Sequence, residues 1–456
     1  MASFYVENFG CRAAQADGAA IEQQFRELGL DRSNSAHQAA IVVLNTCTVT
    51  ASADQDARSA VRRVRRENPD CQIVVTGCYA QRAPKEIAAL PGISLVVGNS
   101  HKHRLAKLAL GESVPRSVSG SPLITISSLH DSESCLFVSD IFAHTELLAA
   151  PVFDAANQRT RPNLKVQDGC DNRCSFCVIP YVRGQSRSLR MHAALREVTV
   201  LVNSGYREVV ISGINLGRWG RDLTPDATGV VPRFEHLVRA ILNETSLEKL
   251  RISSVEPMDW SDELISMIAD SPRIAKHAHV PMQSGSDRVL RLMHRKYRPW
   301  HYREKIEKIH AAMPTAAIGA DVMTGFPGET DADFEETRRM IDDLPLTYLH
   351  VFTYSPRPGT PAAAIRDQVP VQIARERTKI LRELGEEKKL AFMRSLIAKQ
   401  LEAITLNSSR GDEADFTQAL TDNFLKLRLS GRHEANRWIR VCVEQIQCGS
   451  LVGVAA

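Results

Sequence analysis

Three cysteines lie close together in a polar loop, at Cys170, Cys174 and Cys177, in a C-x3-C-x2-C spacing. Thiolates are ligands for zinc and for iron–sulfur clusters. A structural zinc site usually takes four protein ligands, and the nearest downstream candidate, His192, falls in a helical stretch. A four-iron cluster held by three thiolates keeps one iron open to an external ligand. The spacing therefore favours a [4Fe-4S] cluster, with zinc as the alternative.

A second group of cysteines is dispersed in the sequence, at Cys11, Cys47 and Cys78. Each follows a short β-rich run: "YVENFGC", "VVLNTC" and "VVTGC". Consecutive strands of a parallel sheet present their carboxyl ends at the same edge, so we expect the three cysteines to converge. The alternative for any one of them is a small buried apolar residue, the commoner fate of a lone cysteine. Cys71, Cys135, Cys442 and Cys448 show no such pattern and are expected to be structural; Cys442 and Cys448 could be ligands, but alternation within a strand explains them as well.

The elements that position these cysteines predict an α/β protein of several domains. Strands alternate with helices in the first hundred residues and again after residue 160, where most strands end in polar or Gly/Pro-rich segments. In a parallel barrel the working residues gather at such carboxyl ends. The last strands have no helices between them, which suggests a small β-barrel. The expected divisions are 1–110 (parallel α/β domain), 111–160 (linker), 161–395 (partial barrel) and 396–456 (β domain).

Composition excludes several classes of protein. The chain has 456 residues, of which 43% are hydrophobic and 24% charged, as in soluble globular proteins. No apolar run is long enough to cross a bilayer, and "MASFYVENFGC" is not a signal peptide. We therefore expect a cytoplasmic protein without a membrane partner, where disulfides are rare. The net charge of +4 is compatible with a nucleic-acid partner but does not establish one.

At this point the sequence resembles a known family. "GCDNRCSFC" is similar to the cluster loop of radical S-adenosylmethionine (SAM) enzymes, and with the three earlier cysteines it resembles the methylthiotransferases. The resemblance covers almost the whole chain: an N-terminal α/β domain, a radical-SAM partial (β/α) barrel and a C-terminal TRAM-type β domain. The runs "NTCTVT", "SGINLGRWGRDL" and "RISSVEPMDW" resemble the branch that acts on N6-threonylcarbamoyladenosine at position 37 of tRNA.

The resemblance implies a specific chemistry and a set of partners. Sulfur is inserted into an aromatic C–H bond and capped with methyl, with two [4Fe-4S] clusters and SAM as cofactors. SAM would bind the open iron at Cys170, Cys174 and Cys177 and be cleaved by one-electron reduction to a 5′-deoxyadenosyl radical. The trio Cys11, Cys47 and Cys78 would hold the sulfur to be donated. The partners would be tRNA and a reduced flavodoxin- or ferredoxin-type electron donor, and we expect a monomer.

The resemblance also suggests residues that contact SAM. "SGIN" occupies the place of the family's glycine-rich stretch beside the SAM amino group, although it lacks the acidic residue that many radical-SAM enzymes carry there. Glu256 would accept from ribose hydroxyls, and Phe176 would pack near the adenine. Each candidate could equally be an ordinary strand-end residue. The candidates are Phe176, Ser212, Gly213, Asn215, Glu256 and Gln283.

Two basic segments are candidates for RNA contact. "RGQSRS" follows the cluster loop directly, and we expect Arg183 and Arg187 to face the mouth of the barrel. In the C-terminal domain, "KLRLSGRHEANRWIR" combines Arg437 and Arg440 with a tryptophan, a mixture that suits backbone phosphates and base stacking. The arginine-rich helix at 58–67 is more simply explained as a solvated face.

Other functions remain open on the sequence. Within the family, the substrate could be isopentenyladenosine-37 of tRNA or an aspartate of a ribosomal protein. Outside it, the chain could be an electron carrier with two iron–sulfur clusters, although such a carrier would normally close each cluster with a fourth cysteine. A zinc-dependent RNA-binding protein is the third alternative.

Overall fold

The computed structural model describes residues 3–111, 135–144, 147, 160–225, 229–407 and 416–456. Its N-terminal part is a six-stranded, fully parallel sheet with the order β2-β1-β3-β4-β5-β6. The elements are β1 Ser3–Asn8, α1 Arg12–Glu27, β2 Asp31–Arg32, β3 Ile41–Thr46, α2 Ala51–Glu67, β4 Gln72–Gly77, α3 Cys78–Arg82, α4 Pro84–Ala88, β5 Leu95–Gly98, α5 Leu105–Ala109 and β6 Cys135–Phe137.

Helices cover both faces of this sheet. Every residue of β3 is buried, as expected for a central parallel strand whose two faces both pack against helices. One apolar cluster, which includes Val42 and Leu44, packs on α2, while the other, which includes Val43, packs on α1 and α5. The alternation of "IVVLNT" between two cores is what fixes β3 at the centre.

The sheet extends further along the chain than the sequence suggested. The strand β6 lies inside the predicted linker 111–160, yet it pairs with β5 along Leu95–Val97. The linker prediction is therefore wrong for these three residues, because a short apolar run is enough to complete a parallel edge. Residues 112–134, 145–146 and 148–159 of the predicted linker lie outside the described part of the chain.

The middle of the chain forms a partial barrel of parallel strands with helices between them. Its elements are β7 Asn163–Lys165, β8 Gln167–Asp168, α6 Ile179–Arg183, β9 Arg187–Ser188, α7 Met191–Asn203, β10 Glu208–Ser212, α8 Phe234–Glu244, β11 Lys249–Ile252, α9 Asp262–Asp270, β12 His277–His279, α10 Asp287–Leu292, α11 Pro299–Ala312, β13 Ala317–Thr324, α12 Asp331–Asp343, β14 Tyr348–Thr353 and α13 Val371–Arg394.

The strands pair in parallel as β7-β10-β11 and as β12-β13-β14, while β8 and β9 form a separate antiparallel pair. Parallel bridges from Leu250 to Ile274 and from Ser254 to His279 join the two groups, so the outer edges of the curved sheet are β7 and β14. The helix α1 of the N-terminal domain packs against β7, and Asn163 donates to the Arg12 carbonyl at 3.1 Å. The N-terminal domain therefore sits against an edge of the partial barrel.

The C-terminal segment is a closed five-stranded barrel with the order β15-β16-β17-β19-β18. Its strands are β15 Gln400–Thr405, β16 Phe416–Thr421, β17 Lys426–Ser430, β18 Trp438–Gln447 and β19 Ser450–Ala455. Arg251 on β11 donates to the Asp422 carbonyl at 2.9 Å, which fixes this barrel to the larger one. In the described ranges, no helix combines the length and the apolar character needed to cross a membrane.

Candidate active site

The N-terminal sheet delivers Cys11, Cys47 and Cys78 to one edge. Cys11 caps α1, Cys47 comes directly after β3, and Cys78 is the first residue of α3. The strands before them are neighbours, β1-β3-β4, so the three carboxyl ends lie side by side. Burial and the neighbouring Cys78 thiol raise the pKa of Cys47 to about 11. The structure thus brings the second trio together.

Gly10 allows this convergence. Its φ of +96° lies in the left-handed region, and a Cβ placed there would stand 2.7 Å from Cys47 Cβ and 2.9 Å from Cys47 Sγ. Such a contact is far inside van der Waals distance. A glycine is therefore needed for the loop before Cys11 to pack directly on Cys47.

The loop between β8 and α6 carries the first trio. The Cys177 amide donates to the Cys174 carbonyl at 3.1 Å, which tightens the loop. Two side chains donate toward its sulfur atoms: Asn215 Nδ2 lies 3.6 Å from Cys170 Sγ, and Arg295 Nη1 lies 3.3 Å from Cys174 Sγ. Donors at this position favour thiolates over thiols, which is what metal ligation requires.

Burial opposes the ionisation of Cys170 and Cys177. It raises the pKa of both thiols, that of Cys177 to about 12, and the neighbouring thiols add to the shift. Bound iron supplies the missing positive charge, so this trio of half-buried cysteines fits a metal cluster. Among the described residues, no three His, Cys, Asp or Glu side chains are spaced to hold a single metal ion. A four-iron cluster binds one thiolate per iron and so spaces its ligands farther apart.

One cavity of about 130 Å³ is lined by Cys177 of the first trio and by residues that follow Cys47 of the second. Val49 and Thr50, which follow Cys47, line it on the side of the N-terminal domain. On the barrel side its lining consists of Phe176, Cys177, Val178, Ile179, Gln283, Met323, Phe352, Thr353, Tyr354 and Ser355. The lining is mostly apolar, as in sites that exclude water from a reactive group.

Several predicted SAM contacts carry buried polar atoms that find no hydrogen-bond partner within the described residues: Ser212 Oγ, Asn215 Oδ1 and Gln283 Oε1. Gln283 also adopts a φ of 60°, which is uncommon for a residue other than glycine. An unpaired buried polar atom costs about 1–3 kcal/mol. A polar ligand that supplied the missing partners would relieve this cost.

The remaining predicted SAM residues occupy neighbouring positions. Gly213 packs so closely on Gln167 that a Cβ there would stand 2.8 Å from Gln167 Oε1, which accepts from the Asn215 amide at 2.7 Å. The Glu256 carboxylate forms an ion pair with Arg295, the residue that reaches Cys174. The Phe176 ring meets Phe326 edge-on, with centroids 6.3 Å apart.

Comparison with known proteins identifies the family. Residues 3–98 match a family described as "Uncharacterized protein family UPF0004", and residues 164–341 match the Radical SAM superfamily. The threonylcarbamoyladenosine tRNA methylthiotransferase MtaB of Aquifex aeolicus (strain VF5) is 34% identical over 439 residues, which cover 96% of this chain and 99% of the relative. The chain belongs to the radical-SAM methylthiotransferase family.

Other relatives fall in two branches. The Bacillus subtilis (strain 168) protein of the same name is 34% identical and covers 95% of this methylthiotransferase and 92% of its own length. The tRNA-2-methylthio-N(6)-dimethylallyladenosine synthase of Nocardia farcinica (strain IFM 10152) is 32% identical, and the match covers 99% of this chain and 86% of the relative. The radical-SAM family binds a [4Fe-4S] cluster and SAM, as the sequence implied for this methylthiotransferase.

A solved structure shares the fold. The radical SAM methyltransferase TsrM from Kitasatospora setae superposes with a TM-score of 0.54 at 13% identity, covering 80% of this chain and 74% of that chain. At this identity the match concerns the fold alone. It agrees with the predicted combination of a parallel α/β domain and a radical-SAM barrel.

The structure of this methylthiotransferase corrects the prediction for Arg183 and Arg187. Arg183 is 2% exposed and forms ion pairs with Asp17 and Asp168, both at 3.0 Å. Arg187 is 9% exposed and donates to the His144 carbonyl at 3.2 Å. The expectation that both face the barrel mouth is wrong, because buried carboxylates draw the two guanidinium groups inward.

The C-terminal arginines are accessible. Arg440 on β18 is exposed, whereas Arg437 forms an ion pair with Glu434 at 2.9 Å. Their predicted contact with RNA stays a prediction. The tryptophan between them, Trp438, is covered by Lys249 Nζ at 4.7 Å from the ring centroid, so it packs against the larger barrel.

Sequence reasoning missed the charged residues behind the second trio. Asp17, Lys102 and Lys165 are buried and ion-paired at the boundary between the N-terminal domain and the barrel. Asp17 and Lys165 are far apart in the sequence, and neither belongs to a motif. A charged residue within an otherwise apolar stretch, such as Lys165 in "NLKV", was the one available signal.

Proposed function

We propose that this methylthiotransferase converts N6-threonylcarbamoyladenosine at position 37 of tRNA to its 2-methylthio derivative. The observation that carries the proposal is the cavity that residues beside both cysteine trios line. A substrate base held there would have one trio on either side. The names of the relatives with 34% identity over nearly the whole chain support the choice of modified adenosine.

Each trio holds one [4Fe-4S] cluster in this proposal. Cys170, Cys174 and Cys177 hold the cluster that binds SAM. The second trio, Cys11, Cys47 and Cys78, holds the cluster that carries the sulfur. When bound, these groups and SAM supply the 5′-deoxyadenosyl radical, the sulfur and the methyl group. The chain contributes binding, orientation and protection from water.

The SAM-binding residues divide by the part of the ligand that they contact. Ser212, Gly213 and Asn215 lie at the end of β10 and hold the amino acid moiety, because Asn215 already reaches the cluster loop at Cys170. Glu256 accepts from the ribose hydroxyls. Gln283 supplies its unpaired carbonyl oxygen, and Phe176 packs beside the adenine.

The apolar residues of the cavity protect the radical. Met323, Phe352 and Tyr354 line its wall together with Phe176. They exclude water, which would otherwise solvate the reactants.

The remaining partners follow from the chemistry. A reduced flavodoxin- or ferredoxin-type protein supplies the electrons, and the enzyme acts as a monomer in the cytoplasm. The tRNA approaches the exposed face of the C-terminal barrel, where Arg440 is available to a phosphate.

Nucleoside mass spectrometry on bulk tRNA tests the proposal. A strain that lacks this protein should lose the 2-methylthio derivative of N6-threonylcarbamoyladenosine and regain it when the gene is restored. Loss of 2-methylthio-isopentenyladenosine instead would assign the enzyme to the other tRNA branch. An unchanged set of tRNA nucleosides would contradict a tRNA substrate and direct attention to ribosomal proteins.

A further inference from the structure

A buried network of charges, named here the interdomain charge cluster, lies behind Cys11, Cys47 and Cys78. Asp17 forms ion pairs with Lys102 and Arg183, each at 3.0 Å, and with Lys165. Asp168 forms ion pairs with Lys165 at 2.9 Å and with Arg183 at 3.0 Å. The cluster consists of Asp17, Lys102, Lys165, Asp168, Arg183 and Arg187, and each member is at most 9% exposed.

The interdomain charge cluster has more positive than negative groups. Its lysines and arginines outnumber its two carboxylates by two. The surrounding cations hold the pKa of Asp17 and that of Asp168 below the usual range. Both carboxylates are therefore ionised, and the difference of two charges includes them as negative groups. An uncompensated buried charge costs several kcal/mol, so a surplus of this kind calls for a nearby anion.

The surplus lies next to the second trio. Asn99 Nδ2 lies 3.7 Å from Cys78 Sγ and lines the same small cavity as Lys102, Arg183 and Arg187. Lys102 Nζ also donates to Asn45 Oδ1 at 3.3 Å, two residues before Cys47. The attraction of Cys78 and Cys11 is among the causes that raise the pKa of Arg183.

Two buried atoms of this cavity have unused hydrogen-bonding capacity. Arg183 Nε and Arg187 Nε are buried atoms that find no hydrogen-bond partner in the described parts of the chain, and the two residues are 2% and 9% exposed. Both residues line the cavity beside Cys78. Unpaired guanidinium donors in a buried, cation-rich cavity point to an anionic ligand.

The charge of the loaded site matches the surplus. A four-iron cluster in its 2+ state, bound by three thiolates, carries one net negative charge. One monoanionic sulfur ligand on the open iron, such as hydrosulfide, raises the total to two negative charges. This number equals the two surplus positive charges of the interdomain charge cluster. Without that ligand, one buried positive charge stays uncompensated.

We propose that the interdomain charge cluster is an electrostatic holder for a monoanionic inorganic sulfur ligand at the Cys11/Cys47/Cys78 site. Lys102, Lys165, Arg183 and Arg187 act as positioning residues that keep the sulfur bound between turnovers. This inference rests on the proposed function, because it assumes a cluster at the second trio.

Arg187 offers the clearest test because it is the cation with the weakest ties to the two carboxylates, at 3.9 Å from Asp168. Replacing Cys170, Cys174 and Cys177 with alanine in the full chain leaves one cluster for study. In that background we compare Arg187→Gln with the charge-conserving Arg187→Lys. Sodium hydrosulfide and neutral imidazole are each titrated into the protein, and electron paramagnetic resonance of the reduced iron–sulfur cluster monitors their binding.

We expect Arg187→Gln to weaken hydrosulfide binding about tenfold, since one nearby buried charge is lost. Imidazole binding should not change, and the midpoint potential of the cluster should become more negative, because positive charge stabilises the reduced state. Arg187→Lys should resemble the parent in all three measurements. If Arg187 had a purely structural role, Arg187→Gln would change the affinities for hydrosulfide and for imidazole by the same factor.

Equal hydrosulfide affinity in the parent and in Arg187→Gln would overturn the inference. An equal loss of affinity for hydrosulfide and for imidazole would also overturn it. If Arg187→Gln fails to fold, Lys102→Met replaces it. This substitution removes a positive charge from the other side of the interdomain charge cluster, so the same pattern of results is expected. A parent protein that retains no iron would overturn the second cluster itself. That result is distinguishable from failure of this inference, in which iron is present but the charge has no effect.

Discussion

At the scale of single residues, the two cysteine trios are positioned by different features of the chain. The trio on the N-terminal sheet depends on strand order and on Gly10, whereas the other trio depends on one loop and on donors from Asn215 and Arg295. The two sets lie on different domains. Each set should therefore be separable by mutation.

Replacing Cys11, Cys47 and Cys78 with alanine should leave reductive SAM cleavage largely intact and abolish methylthiolation. In the proposed function SAM is cleaved at the other trio, and exchange of the buried Cys47 and Cys78 for alanine removes only one sulfur atom from each side chain. The measurement is 5′-deoxyadenosine formation beside the methylthiolated nucleoside in one reaction. Survival of both products would show that the sulfur is not carried by this trio.

Gln283→Leu should weaken SAM binding while it leaves the fold intact. The variant removes a buried oxygen that lacks a partner in the described chain, so folding loses little, whereas bound SAM loses a hydrogen bond. We expect about fivefold weaker binding, or about 1 kcal/mol. Isothermal titration of the reconstituted protein measures the affinity, and thermal unfolding serves as the control. Unchanged affinity would remove Gln283 from the SAM site.

At the scale of elements, helix α2 connects the second trio to the barrel. Thr50 caps the helix by accepting from the Ala53 amide at 3.2 Å, and the Ala51 amide donates to Ser355 Oγ of the barrel at 3.1 Å. Asp54, in the first turn, pairs with Arg82 at 3.0 Å and with Arg357 at 2.9 Å. This buried pairing sets the distance between the residues after Cys47 and the strand end of β14.

Arg357→Ala should destabilise the contact between the N-terminal domain and the barrel. Asp54 keeps Arg82 as a partner, so we expect a loss of about 2 kcal/mol rather than the full cost of an unpaired buried charge. Differential scanning fluorimetry should show a lower Tm, and methylthiolation should fall more than SAM cleavage, because the barrel keeps its own cluster loop. Arg339→Ala, an exposed arginine on α12, is the control. Equal effects of the two variants would contradict a specific role for Arg357.

At the scale of the whole molecule, two folded units line one cavity, and the third unit is attached to the partial barrel. The N-terminal sheet supplies one trio, the partial barrel supplies the other, and the C-terminal barrel attaches through Lys249, Arg251 and their partners on β15 and β16. On β18 of the small barrel, Arg440, Glu444 and Gln445 are exposed, and this is the face proposed to meet tRNA.

Arg440→Glu should weaken tRNA binding by more than Arg437→Glu. Arg440 is exposed, whereas Glu434 already neutralises part of the charge of Arg437. A phosphate contact should also contribute about one unit to the slope of log Kd against log salt. Filter binding at several salt concentrations measures both quantities, with Arg339→Glu as a matched control. Equal binding by Arg440→Glu and the control would exclude this face.

Much of this architecture could be predicted from the sequence. Apolar runs such as "IVVLNT" and "AIGADVMTG" became the strands β3 and β13, and the helix-free end of the chain became the closed C-terminal barrel. The charged segment 371–400 has the composition of a helix, and most of it forms α13, which ends at Arg394. These features follow from local periodicity, which does not depend on distant contacts.

The sequence by itself determined the chemistry of this protein: cysteine spacing and strand-end position are local properties, and both trios follow from them. Tertiary structure alone decided the fate of the charges. "RGQSRS" reads as an exposed basic segment, yet Asp17 and Asp168 draw Arg183 inside, and Arg187 follows. The reason is that desolvation and ion pairing depend on which residues meet in space. Asp17 meets Lys165 and Arg183 only after the N-terminal domain docks on the barrel.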